Sequence, residues 1–177
     1  ARSEGKIQGK KFADEVLNFL ILIIFFIILI VEIFTPYLVY LIAPGFFENN
    51  QKFNLTVELT RITFPFLIFV SLSSFFSGIL NSNNRFAAAA AAPIILNIIL
   101  IISLLLSYFF NFNYVRQLSL AVTLSGLIQL MFLIFFASKY YTFSFKFKLR
   151  LTKKVKFFFK NLLPSILSSG VTQINIL

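Results

Sequence analysis

Few residues in this chain could do chemistry. Its 177 residues contain no His and no Cys. A histidine base, a Ser-His-Asp triad, a thiolate nucleophile and disulfides are therefore excluded. There is no carboxylate pair, no Gly-rich phosphate loop and no metal-ligand cluster in the sequence. The pattern predicts no enzyme, no cofactor and no metal. What remains is a sparse set of polar side chains set in apolar runs. Arg85 stands in "NSNNRF" (81–86), next to Asn81 and Asn84. A permanently charged, planar guanidinium there could capture a phosphate, or it could simply anchor the chain at a membrane surface. Arg61 could meet an anionic headgroup or snorkel to the interface. Glu32 is a carboxylate within an apolar run, and an ionisable group at such a place is a candidate functional residue. Counted from Val16, it lies about 24 Å along a helix, which places it near the outer interface and within reach of water beside Pro36. Asn97, Gln129, Gln173 and Asn175 are amides at membrane depth, suited to interhelical hydrogen bonds or to substrate contact.

The elements that position these residues are set by hydropathy. Hydrophobic residues make up 59% of the chain and charged residues 12%, with a mean hydropathy of +0.91. A water-soluble domain carries about 25% charge, so the solvent read from composition is lipid. The fold class is all-α, a polytopic transmembrane helix bundle. Spans are expected at 16–43, 59–80, 86–110 and 118–138, with a fifth opening at 162–177. The chain starts without Met and stops inside an apolar stretch, which reads as an internal piece of a longer protein. The first apolar run is too long for a signal peptide and lacks a small-residue cleavage site.

Pro36, Pro65 and Pro93 interrupt three of these runs, and Ser71, Ser73, Ser74, Ser77 and Gly78 would allow close helix approach. The six alanines 87–92 offer a smooth packing surface. Of the 16 Lys and Arg, all but Lys52, Arg61 and Arg116 lie in segments 1–15, 81–85 and 139–160. Those segments are expected to face the cytoplasm. The net charge of +10 is then a topology signal and not a nucleic-acid footprint. Residues 139–160 read as a basic cytoplasmic loop. Within it, 143–151 alternates as a short strand would, or as an interfacial segment whose lysines meet anionic lipid.

Four stretches carry a family resemblance: "LIAPGF" (41–46), "RITFPFLIFVSLSSFFSGILNSNNRFAAAAAAPIILNI" (61–98), "LAVTLSGLIQL" (120–130) and "LLPSILSSGVTQINIL" (162–177). In order and spacing they resemble the MurJ/MviN family of lipid II flippases, within the multidrug/oligosaccharidyl-lipid/polysaccharide exporter superfamily. The resemblance implies a fourteen-helix, two-lobed transporter of the bacterial inner membrane, of which this chain would be part of the N-terminal lobe. It implies lipid II, the undecaprenyl-pyrophosphate-linked peptidoglycan precursor, as the partner, beside membrane lipids and cell-wall synthesis proteins. It also implies a role in cell-wall biogenesis and cell shape. The family's "ILN…NRF" element maps onto Ile79, Leu80, Asn81, Asn84 and Arg85, and its "QIN" element onto Gln173, Ile174 and Asn175. Its principal cavity residues lie on helices outside this chain. The rival expectations are an exporter of another polyprenyl-linked glycan or a drug, and a non-transporting scaffold for cell-wall enzymes.

Overall fold

The computed structural model describes residues 2–142, 152, 155–162 and 164. All regular structure among them is helical. The helices are α1 (Arg2–Ile42), α2 (Asn50–Thr63), α3 (Phe66–Ser82), α4 (Phe86–Phe110) and α5 (Tyr114–Ala137), followed by a short α6 over 155–162. Four runs are long and apolar enough to cross a membrane: Ile7–Ile42, Asn50–Ser82, Phe86–Phe110 and Tyr114–Ala137. The second run counts α2 and α3 together. The alternating segment 143–151, the expected span beyond Pro164, and Gln173 and Asn175 lie outside the described residues.

Helix starts differ from the hydropathy reading for a local reason. Asn49 lies in what reads as a loop, yet its side-chain oxygen accepts from the backbone N–H groups of Gln51 and Lys52, both at 3.1 Å. That N-cap starts α2 at Asn50, well before the apolar run at 59. Asn113 does the same for α5, accepting from Val115 and Arg116 at 3.1 and 3.2 Å. The polar segment 1–15 is helical from Arg2 and simply extends α1. Pro36 does not end α1 either. The proline ring removes the N–H that would bond the Glu32 carbonyl. The hydroxyl of buried Thr35 lies 3.2 Å from that oxygen and 2.7 Å from the Val31 carbonyl.

The residues form two compact units, 1–19 with 143–177, and 20–142. In the first, α6 lies within the segment read from the sequence as a loop. It packs on the start of α1 through edge-to-face rings: Phe12 with Phe158 at 5.8 Å and Phe19 with Phe159 at 6.2 Å. The Thr152 hydroxyl donates to the Glu15 carboxylate at 2.6 Å.

In the second unit α5 is the central helix, packed against α2, α3 and α4. Its buried residues include Ser119, Ala121, Ser125, Gly126 and Ala137, small side chains that let backbones approach. Pro65 breaks the second span between Thr63 and Phe66. The break is tied to α5 by the Thr123 hydroxyl, which donates to the Ile62 carbonyl at 2.5 Å. Gly126 sits where α3 crosses: a Cβ there would lie 2.5 Å from Phe66 Cδ2 and 3.1 Å from Phe69 Cβ. Gly78 has no atom within 4 Å of such a Cβ.

Gly126→Ala is therefore expected to destabilise the protein by about 1–3 kcal/mol through overpacking. Gly78→Ala is expected to leave it unchanged or slightly more stable. Thermal melts of the purified full-length protein check this; equal melting temperatures for both variants would refute the α3–α5 crossing.

Candidate functional site

The polar turn between α3 and α4 is built by backbone chemistry. Asn84 takes the left-handed conformation, φ 58°. Its N–H donates to the Asn81 carbonyl at 3.0 Å, and the Arg85 N–H reaches back to the Leu80 carbonyl at 2.9 Å. These two bonds are the Schellman arrangement, which satisfies carbonyls that a helix end leaves open. Asn is the best tolerated residue after Gly at such a φ, which accounts for its presence at 84. The Ser82 hydroxyl and the Asn83 amide both donate to the Ile79 carbonyl at 2.8 Å. Leu80 is buried, so the turn is fixed to the core and Arg85 is fixed to the turn.

From this turn Arg85 faces the end of α5. Its guanidinium carbon lies 5.7 Å from the centre of the Tyr140 ring, a cation–π arrangement. A cleft of about 320 Å³ opens there, lined by Leu80, Arg85, Ala87, Ala88, Phe136, Lys139 and Tyr140. Among the described residues the lining holds two cations and no carboxylate. It also includes the first turn of α4, whose N-cap, Arg85, gives no side-chain hydrogen bond to the helix amides. Those amides and the helix dipole add positive potential at the same place. The alanines of the first turn leave the space into which these groups point. Such a cleft suits an anion carrying several oxygens, with apolar material resting on Phe136 and the alanines.

The other sequence candidates are placed elsewhere. Asn81 and Asn84 are exposed on the turn itself. Arg61 does not open the second span, because the Asn49 cap starts that span at Asn50; it lies in the last turn of α2 and is exposed. There it complements the carbonyl end of the helix. All of α3, 17 residues or about 25 Å, separates it from Arg85. Asn97 is exposed on α4 and Gln129 is buried on α5. Bonds between spans come from the hydroxyls of Thr123, to the Ile62 carbonyl at 2.5 Å, and Ser103, to the Gln117 carbonyl at 3.3 Å, and from the Arg116–Glu58 ion pair at 2.9 Å. Lys139 and Tyr140 are the cleft residues that sequence reasoning missed as site residues. The available signal was a cation and an aromatic opening a loop rich in both.

The whole chain, residues 1–177, matches the family model described as lipid II flippase MurJ. The chain belongs to the MurJ family. It is 39% identical over 176 residues to a probable lipid II flippase MurJ of Rickettsia prowazekii (strain Madrid E), covering 97% of this chain and 34% of that protein. It is 35% identical over 179 residues to a probable lipid II flippase MurJ of Rhizobium tropici, covering 98% and 33% respectively. The chain thus spans about a third of these MurJ relatives. With four membrane-length helical runs, it is a membrane protein of that family.

Asn84→Gly should keep the fold and its stability, because Gly accepts φ 58° without cost, so a change in its activity reports on the amide itself. Asn84→Val should lose about 1–2 kcal/mol of stability. Loss of function in a stably folded Asn84→Gly protein would show that the amide itself touches substrate. Cell complementation together with a thermal melt separates these outcomes.

Proposed function

We propose that this chain is part of a flippase that moves lipid II from the inner to the outer leaflet of the bacterial inner membrane. The observation that carries this reading is the family match over all 177 residues. Segments 1–15, 81–85 and 139–160 then face the cytoplasm, in keeping with the distribution of Lys and Arg. On this reading residues 1–177 form part of the N-terminal lobe, and transport runs by alternating access. Two lobes rock about a central cavity and remove the cost of carrying a sugar-pyrophosphate head through hydrocarbon. The protein acts as a transporter and makes or breaks no covalent bond.

The Arg85 cleft supplies a gate on the cytoplasmic side. Arg85 and Lys139 would meet the pyrophosphate oxygens as the precursor enters, and the exposed amides of Asn81 and Asn84 would offer hydrogen bonds to the sugars. The break at Pro65, and Pro36 and Pro93 within continuous helices, give the spans places to bend. Arg61, Asn97 and Gln129 contribute to packing and interface anchoring.

The test uses the full-length gene in bacteria depleted of their own lipid II flippase. Lipid II accessible to a periplasmic enzyme that cleaves it should be restored. Arg85→Ala should reduce that restored signal about tenfold or more at equal membrane abundance. A hydrogen bond to a charged group is worth about 1.5–3 kcal/mol, and 1.4 kcal/mol is a factor of ten. Good expression without restored accessibility would move the substrate to another polyprenyl-linked glycan. Full activity of Arg85→Ala would remove the gate.

A further inference from the structure

The turn at 81–85 fixes the backbone of Arg85 but not its side chain. The Arg85 N–H is held by the carbonyl of buried Leu80 at 2.9 Å. Beyond the backbone, the guanidinium sits on a long stem with many rotamers. As the N-cap of α4, the side chain makes no hydrogen bond to the helix. A carboxylate partner is also missing. No Asp or Glu follows Glu58 in the sequence, and Glu58 is engaged by Arg116 at 2.9 Å. Among the described residues, the group that holds the Arg85 side chain is the Tyr140 ring, 5.7 Å from the guanidinium carbon.

Tyr140 is itself set in place. Its N–H donates to the Ala137 carbonyl at 2.9 Å, and the Tyr141 N–H donates to the same oxygen at 2.8 Å. Ala137 is buried. Tyr141 turns inward: it is buried, with its ring 6.0 Å from Phe75 and 6.4 Å from Phe76 on α3. The chain leaving α5 is thereby tied to α3 close to Leu80. Tyr140, 42% exposed, is left to line the cleft.

A ring differs from a carboxylate in what it leaves available. A carboxylate would neutralise the guanidinium and take its donors in a bidentate pair. An aromatic ring attracts the cation through its quadrupole and carries no net charge. Arg85 keeps its full charge, and Lys139 adds a second cation in the same lining.

We propose that Tyr140 is the positioning residue of the Arg85 cleft: its ring holds the guanidinium at the cleft and leaves the charge free for incoming phosphate oxygens. The inference rests on the reading of the cleft as an entry gate.

The experiment is a double-mutant cycle in the full-length protein, read as accessible lipid II in the flippase-depleted bacteria at equal membrane abundance. Tyr140→Leu should lower the signal about threefold to fivefold, the factor that corresponds to a cation–π contact at a partly exposed site. Tyr140→Phe keeps the ring and should recover most of that loss. In an Arg85→Ala background, Tyr140→Leu should have no further effect, because a residue acting through Arg85 has nothing left to position. A packing role alone predicts equal losses in both backgrounds. Wild-type signal in Tyr140→Leu, an equal deficit in Tyr140→Phe, or additive losses would overturn the proposal while leaving the gate in place. Full activity of Arg85→Ala would remove the gate, and the role of Tyr140 with it.

Phenylglyoxal labelling of arginines in native membranes, read by peptide mass spectrometry, tests the ring contact without transport. Exposed Arg61 is the internal reference. Arg85 should react about threefold faster in Tyr140→Leu than in the wild type, and at the wild-type rate in Tyr140→Phe. An unchanged rate in Tyr140→Leu would overturn the proposal whatever the transported substrate is.

Discussion

Every backbone N–H and C=O in a bilayer has to be satisfied within the protein, because hydrocarbon offers no partner. The structure depends on how this chain meets that demand at its prolines and helix ends. Pro36 orphans the Glu32 carbonyl, and the Thr35 hydroxyl lies beside it. Pro65 splits a span, and Thr123 of α5 crosses over to the Ile62 carbonyl. Along α2, Thr56, Thr60 and Thr63 donate to the carbonyls of Lys52, Thr56 and Leu59. Hydroxyls thus let a proline-broken chain remain helical in lipid.

The same demand explains the asparagines. Asn49 and Asn113 cap helix starts with their side chains. Asn84 and Asn111 end helices by taking the left-handed conformation, φ 58° and 54°. In this chain asparagine does the work usually shared by Ser, Thr and Gly. One result is a stiff turn at 81–85 that aims Arg85 along the end of α5. A charged side chain on a fixed turn is pre-organised, and pre-organisation lowers the cost of binding an anion.

Close packing around α5 sets the geometry of the cleft. Gly126 brings α3 against α5, and buried Ser103 bonds α4 to α5. With α3 and α4 both fixed on one helix, the turn joining them meets the last turn of α5, where Phe136, Lys139 and Tyr140 complete the lining. A change at Gly126 thereby acts on the Arg85 cleft through helix position alone.

The sequence by itself determined the all-helical, membrane-spanning class, because apolar runs of more than 20 residues have few other solutions. It also disclosed the family through the 61–98 stretch, and it singled out Arg85 and Glu32 as charges in unusual company. Hydropathy could not place the true helix ends, since the caps at Asn49 and Asn113 lie in polar sequence outside the apolar runs. Only the tertiary structure brought Lys139 and Tyr140 to Arg85, 54 and 55 residues apart in sequence, because that meeting depends on which helices pack on α5. It alone put one carboxyl oxygen of Glu32 out of contact with solvent.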